Sequence, residues 1–128
     1  MAGELILVVE DKETNRKLVR DVLTFKGFEV AEAATAEDGL ELARSRLPDL
    51  ILMDIHLPGM DGITALRTLR ADPATSAIPV IALTASAMPS DRDAIFSAGF
   101  NGYETKPIGV KRLEEIVLEG LAAREPSS

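Results

Sequence analysis

The sequence has no cysteine, no tryptophan, one histidine and one tyrosine among its 128 residues. Without cysteine there is neither a disulfide framework nor a thiolate metal site, and His56 alone cannot build a multi-histidine centre, so an intracellular protein is expected. Long apolar runs are also missing. Leu5 to Val9, which follows Met1-Ala2-Gly3-Glu4, is far shorter than a signal or membrane-spanning segment and has no basic leader. A cytoplasmic location without membrane insertion is the expectation. Basic residues are in the minority, 14 Lys and Arg against 21 Asp and Glu, and the resulting net charge of -7 would repel a phosphate backbone. Direct nucleic-acid binding is therefore not expected.

What is present is the balance of an ordinary globular protein, 46% hydrophobic and 27% charged, at a length that supports one core. One domain over residues 1–124 is expected, with residues 125–128 a frayed tail. Leu5 to Val9, Leu50 to Met53 and Val80 to Leu83 are short, continuous apolar runs, which suit strands covered on both faces in a parallel sheet. Phe28 to Ala33 alternates at its start and Asn101 to Glu104 is weak, so both read as edge strands. Between them, Leu18, Val19, Val22 and Leu23, and later Leu113, Ile116, Val117, Gly120 and Leu121, recur at helical spacing. Gly27 and Gly99 stand where helix C-caps belong, Asp72-Pro73 stops the third helix, and Pro89 suits the first turn of the fourth. Strict alternation predicts an α/β doubly wound, flavodoxin-like fold: five parallel strands in the order 2-1-3-4-5 with five helices.

In such a sheet ligands bind outside the carboxyl ends of the strands, where the strand order reverses. Strand 1 ends in Glu10-Asp11, strand 3 in Asp54, strand 4 in Thr84-Ala85, and strand 5 leads into Lys106-Pro107. Three converging carboxylates would repel by roughly 4 kcal/mol per pair at 4 Å and an effective dielectric of 20. A hard divalent cation relieves this, and an all-oxygen, water-accessible donor set is that of Mg²⁺, with Glu10, Asp11 and Asp54 as ligands. Asp54 is also placed as a nucleophile toward phosphorus. Lys106, the Thr84 hydroxyl and the Ala85 backbone N–H are available to the transferring oxygens.

Val9-Glu10-Asp11, the run Met53-Asp54-Ile55-His56-Leu57-Pro58-Gly59-Met60-Asp61-Gly62, Leu83-Thr84-Ala85 and Lys106-Pro107 resemble a response regulator receiver domain over essentially the whole chain. The run from Thr84 to Met88 further resembles single-domain cell-cycle regulators of the DivK type and receivers attached to hybrid kinases. The resemblance implies a two-component signalling protein without an attached output domain. Its Asp54 would be phosphorylated by a sensor histidine kinase or histidine phosphotransfer protein in a Mg²⁺-dependent reaction. It implies Glu10, Asp11 and the His56 backbone carbonyl as metal ligands, with Lys106 and Thr84 on the phosphoryl group. The His56 and Ser86 side chains would face the site and influence hydrolysis. It further implies Tyr103 as a switch aromatic, a cis peptide before Pro107, and an effector on the face of helix 4, strand 5 and helix 5, in a monomer or weak dimer. Glu10 departs from the aspartate of many members and lengthens that ligand by one methylene. Lys12 stands where several relatives carry asparagine.

Each residue also has a plain reading. An acidic pair after a strand is often only the N-cap of the next helix, and a lone edge aromatic such as Tyr103 is often only packed on its neighbour. What separates the readings is register, since four strands deliver this chemistry to one sheet edge. Alternative functions are a phosphorelay intermediate or phosphate sink, an aspartyl-phosphate phosphohydrolase, and a flavin-binding module. The hydrolase of haloacid dehalogenase type needs a second aspartate where His56 stands. The acidic loop from Glu10 to Glu13 would repel a flavin phosphate. A signalling domain rather than an enzyme is expected.

Overall fold

The computed structural model describes residues 3–85, 89–106 and 109–123. Strand and helix alternate throughout: β1 (Leu5–Val9), α1 (Glu13–Phe25), β2 (Glu29–Ala33), α2 (Ala36–Arg46), β3 (Leu50–Asp54), α3 (Gly62–Ala71), β4 (Val80–Thr84), α4 (Pro89–Ala98), β5 (Gly102–Thr105) and α5 (Val110–Ala123). The five strands form one parallel sheet in the order β2-β1-β3-β4-β5, as the alternation predicts.

Every residue of β1, β3 and β4 is buried, whereas β2 and β5 at the edges are not. The continuous apolar runs are explained by the pleat, which sends successive side chains to opposite layers. Leu5, Leu7, Val9, Ile51 and Met53 pack with Leu40, Leu66 and Ile95 of α2, α3 and α4. Ile6, Val8, Leu50 and Leu52 pack with Val19 and Leu23 of α1 and with Leu113 and Val117 of α5. Leu18 departs from the expected apolar face and is 50% exposed. It lies about 100° around the helix from Val19, outside the line that meets the sheet.

The sequence pattern starts β2 at Phe28, but Phe28 belongs to the helix stop before it. Its N–H donates to the Leu23 carbonyl and that of Gly27 to Thr24, with Gly27 at φ 97°. This is the paired C-terminal bond pattern that a left-handed glycine permits. Gly99, at φ 111°, ends α4 in the same way, with Phe100 N–H donating to the Ile95 carbonyl. α3 ends at Ala71, before Asp72-Pro73, as expected.

At the edge of the sheet away from the carboxyl ends, Arg70 ties three segments together. Its Nη1 donates to the Ser76 and Ile78 carbonyls, and its Nη2 to the Gly99 carbonyl and Asn101 Oδ1. Burial lowers the Arg70 pKa from its ordinary value. Asn101 Oδ1 also accepts from the Val80 N–H, so the starts of β4 and β5 are fixed by the same pair.

Candidate functional site

Glu10 is the first residue past β1, and each of its polar groups has a partner. Its N–H donates to the Ala33 carbonyl, its carbonyl accepts from Arg16 Nη1 at 2.8 Å, and its Oε2 accepts from the Lys12 N–H at 3.2 Å. Asp11 beside it is exposed. The acidic pair does not cap α1, whose N-cap is Lys12 with no side-chain bond. Asp54 is the last residue of β3, paired with Leu83, so the ladder runs one residue beyond the apolar run and sets this side chain. Its Oδ1 accepts from the His56 N–H at 3.0 Å. Glu10 and Asp54 are both about 1% exposed.

Lys106 joins them: its Nζ lies 3.0 Å from Glu10 Oε1 and 3.0 Å from Asp54 Oδ2. Burial alone would lower the Lys106 pKa, but the hydrogen bonds it donates to Asp54 and Glu10 outweigh this and hold the ammonium above its ordinary value. Carboxylate oxygens of Glu10, Asp11 and Asp54 all lie within 4.8 Å of one another. Three carboxylates against one ammonium leave two negative charges in a largely buried cluster. An oxygen-only set with that residual charge and one exposed side fits a hard divalent cation. The spacing expected from the strand ends is thus realised for all three acids.

Thr84 ends β4, buried and in register with Thr105, and its carbonyl accepts from the Lys106 N–H at 2.8 Å. That bond fixes the start of the Lys106 side chain. Ala85 is exposed and, with Glu10, Leu83 and Lys106, lines a cavity of about 270 Å³ that continues between α1 and α5. His56 is exposed and borders a second cavity of about 230 Å³ shared with Asp61, Thr84 and Ile95. Tyr103 is half-buried and meets the Phe96 ring of α4 edge-on, with centroids 5.7 Å apart. The expectations for Ser86, for the peptide before Pro107 and for the tail at 125–128 lie outside the described residues.

Three contributors are not apparent in the sequence reading. Arg16 holds the Glu10 carbonyl. Asp61 caps α3, its Oδ1 accepting from the Thr64 N–H at 2.8 Å, a role its position before a helical run could have signalled. A Cβ on Gly62 would lie 2.7 Å from the Asp54 carbonyl oxygen, so only glycine lets α3 start this close to β3.

A family model described as the response regulator receiver domain matches residues 6–118. The polar-differentiation response regulator DivK of Brucella ovis is 42% identical over 112 residues, covering 88% of this chain and 91% of that protein. The receiver domain of a sensor histidine kinase from Pseudomonas aeruginosa, solved with a magnesium ion coordinated in its active-site cleft, is 35% identical with a TM-score of 0.88. The match covers 95% of this chain and 100% of that one. The chemotaxis protein CheY4 of Vibrio cholerae is 26% identical with a TM-score of 0.89, covering 94% of this chain and 100% of that one. Among the described residues no helix is long and apolar enough to cross a membrane.

Proposed function

The chain belongs to the response regulator receiver domain family, signalling domains of two-component systems, and from that premise we propose that Asp54 is its phosphoryl acceptor. The observation that carries this is the buried Asp54 carboxylate, held at 3.0 Å by Lys106 and gathered with Glu10 and Asp11 at the switch point of the sheet. Receiver domains interact with histidine kinases or phosphotransfer proteins and with effectors. A phosphohistidine is accordingly the natural donor here. An Asp54 oxygen attacks phosphorus, the P–O bond forms as the P–N bond breaks, and the imidazole nitrogen keeps the electron pair and takes up a proton.

Glu10, Asp11, Asp54 and the His56 backbone carbonyl would hold Mg²⁺, which supplies charge neutralisation for the phosphoryl oxygens when bound. This chain's own groups do the remainder. Lys106 offers a fixed cation to one oxygen, and the Thr84 hydroxyl and the Ala85 N–H offer hydrogen bonds to the others. Thr84 borders the site while Tyr103 packs on α4, so a shift of Thr84 toward the phosphoryl group opens room for Tyr103 to turn inward. The face of α4, β5 and α5 then reads the state to an effector protein, in the cytoplasm and without direct contact to nucleic acid. The phosphorylated chain treated with borohydride tests this, because reduction converts an aspartyl phosphate to homoserine. Homoserine at position 54 of the digested chain supports the reading, and its appearance elsewhere contradicts it.

A further inference from the structure

We infer that Arg16 is a positioning residue for Glu10, fixing the metal ligand from behind. The inference rests on the reading of Glu10, Asp11 and Asp54 as a Mg²⁺ site. Glu10 stands just beyond β1, where the ladder to β2 supplies a partner for its N–H, the Ala33 carbonyl. Its own carbonyl has passed the end of β2, and in place of a further strand residue it receives Arg16 Nη1 at 2.8 Å from the first turns of α1. Arg16 is itself oriented. Its Nε lies 3.3 Å from Glu32 Oε1 on β2, and Arg20 Nη1 holds the other oxygen of Glu32 at 3.0 Å. Its side chain is only 18% exposed, so this is no loose surface pair.

The consequence falls on the ligand geometry. A glutamate has one more rotatable bond than an aspartate, and its freedom must be taken up if its oxygen is to stay near those of Asp11 and Asp54. Fixing the peptide on both sides sets where the side chain of Glu10 begins. The Lys12 N–H, on Oε2, then helps to set where it ends. Partners behind a metal ligand typically carry tenfold or greater effects on affinity when removed. No atom of Arg16 need touch the ion.

The test is calorimetric titration of Mg²⁺ into the wild type, Arg16→Met, Glu32→Gln and the double variant, with thermal unfolding in chelator as the control for folding. Arg16→Met is expected to weaken Mg²⁺ binding by about tenfold or more. Glu32→Gln should weaken it by less, and adding it to Arg16→Met should cost nothing further, because Glu32 acts through Arg16. Wild-type affinity in a folded Arg16→Met overturns the inference while leaving the metal site standing. If Arg16→Met does not fold, unchanged affinity in Glu32→Gln overturns it. Absence of Mg²⁺ binding by the wild type overturns the metal reading and this inference together.

Discussion

Lys106 Nζ lies 3.0 Å from Asp54 Oδ2 and the same distance from Glu10 Oε1, so one ammonium is shared by the proposed acceptor and its acidic neighbour. Lys106→Met should act in two opposite directions. Without Mg²⁺ it leaves two buried carboxylates facing each other, and urea unfolding should show a loss of roughly 3 kcal/mol. With the ammonium gone the cluster is more negative, so calorimetry should show tighter Mg²⁺ binding even as phosphorylation slows. Equal losses of metal affinity and phosphorylation rate would contradict this division of roles. The raised Lys106 pKa gives the pH sign. The pair stabilises the fold throughout the neutral range and weakens as pH rises through that raised value, beyond the usual lysine range.

Tyr103 is the single tyrosine in a chain without tryptophan, so tyrosine emission reports on it alone. Its ring now rests against Phe96, and an inward turn would change that environment. Acetyl phosphate with Mg²⁺ should alter the emission of the wild type. Thr84→Ala should be phosphorylated with a much smaller change. An unaltered signal from fully phosphorylated wild type would remove Tyr103 from the switch.

Asp61→Ala removes the α3 cap and should cost about 1 kcal/mol, measured by chemical denaturation at neutral pH. The backbone hydrogen bond from Thr64 lowers the Asp61 pKa, so the cap contributes above the usual aspartate range. That contribution fades as pH falls through the lowered value. The difference between wild type and variant should therefore shrink in strong acid, and a constant difference would count against the cap.

Gly62→Ala should disturb the peptide that carries the acceptor, since the added carbon would lie 2.7 Å from the Asp54 carbonyl oxygen and 2.8 Å from Ile55 Cα. Overpacking of this kind costs about 1–3 kcal/mol. Slower phosphorylation should accompany the loss of stability. A variant with wild-type stability and rate would mean that α3 can shift without moving Asp54.

The layers of this fold were legible because their physics is local. Continuous runs such as Leu50 to Met53 require cover on both faces, and Gly27 and Gly99 mark helix stops that only positive φ permits. The convergence of Glu10, Asp11 and Asp54 followed from the strand order alone. Arg16 was not legible, because a bond from α1 to the Glu10 carbonyl depends on how the helix is laid against β2, which no spacing encodes. Leu18 misled for a related reason: helical spacing identifies an apolar stripe, but packing decides which edge of the stripe meets the sheet.

The most direct test of Asp54 as the acceptor is the intact mass of the wild type and of Asp54→Asn after incubation with Mg²⁺ and acetyl phosphate. Phosphoryl acceptance at Asp54 predicts a phosphoryl-sized increase on the wild type, lost when the metal is chelated, and none on Asp54→Asn. An equal increase on a folded Asp54→Asn would contradict it, because the acceptor would then be another side chain.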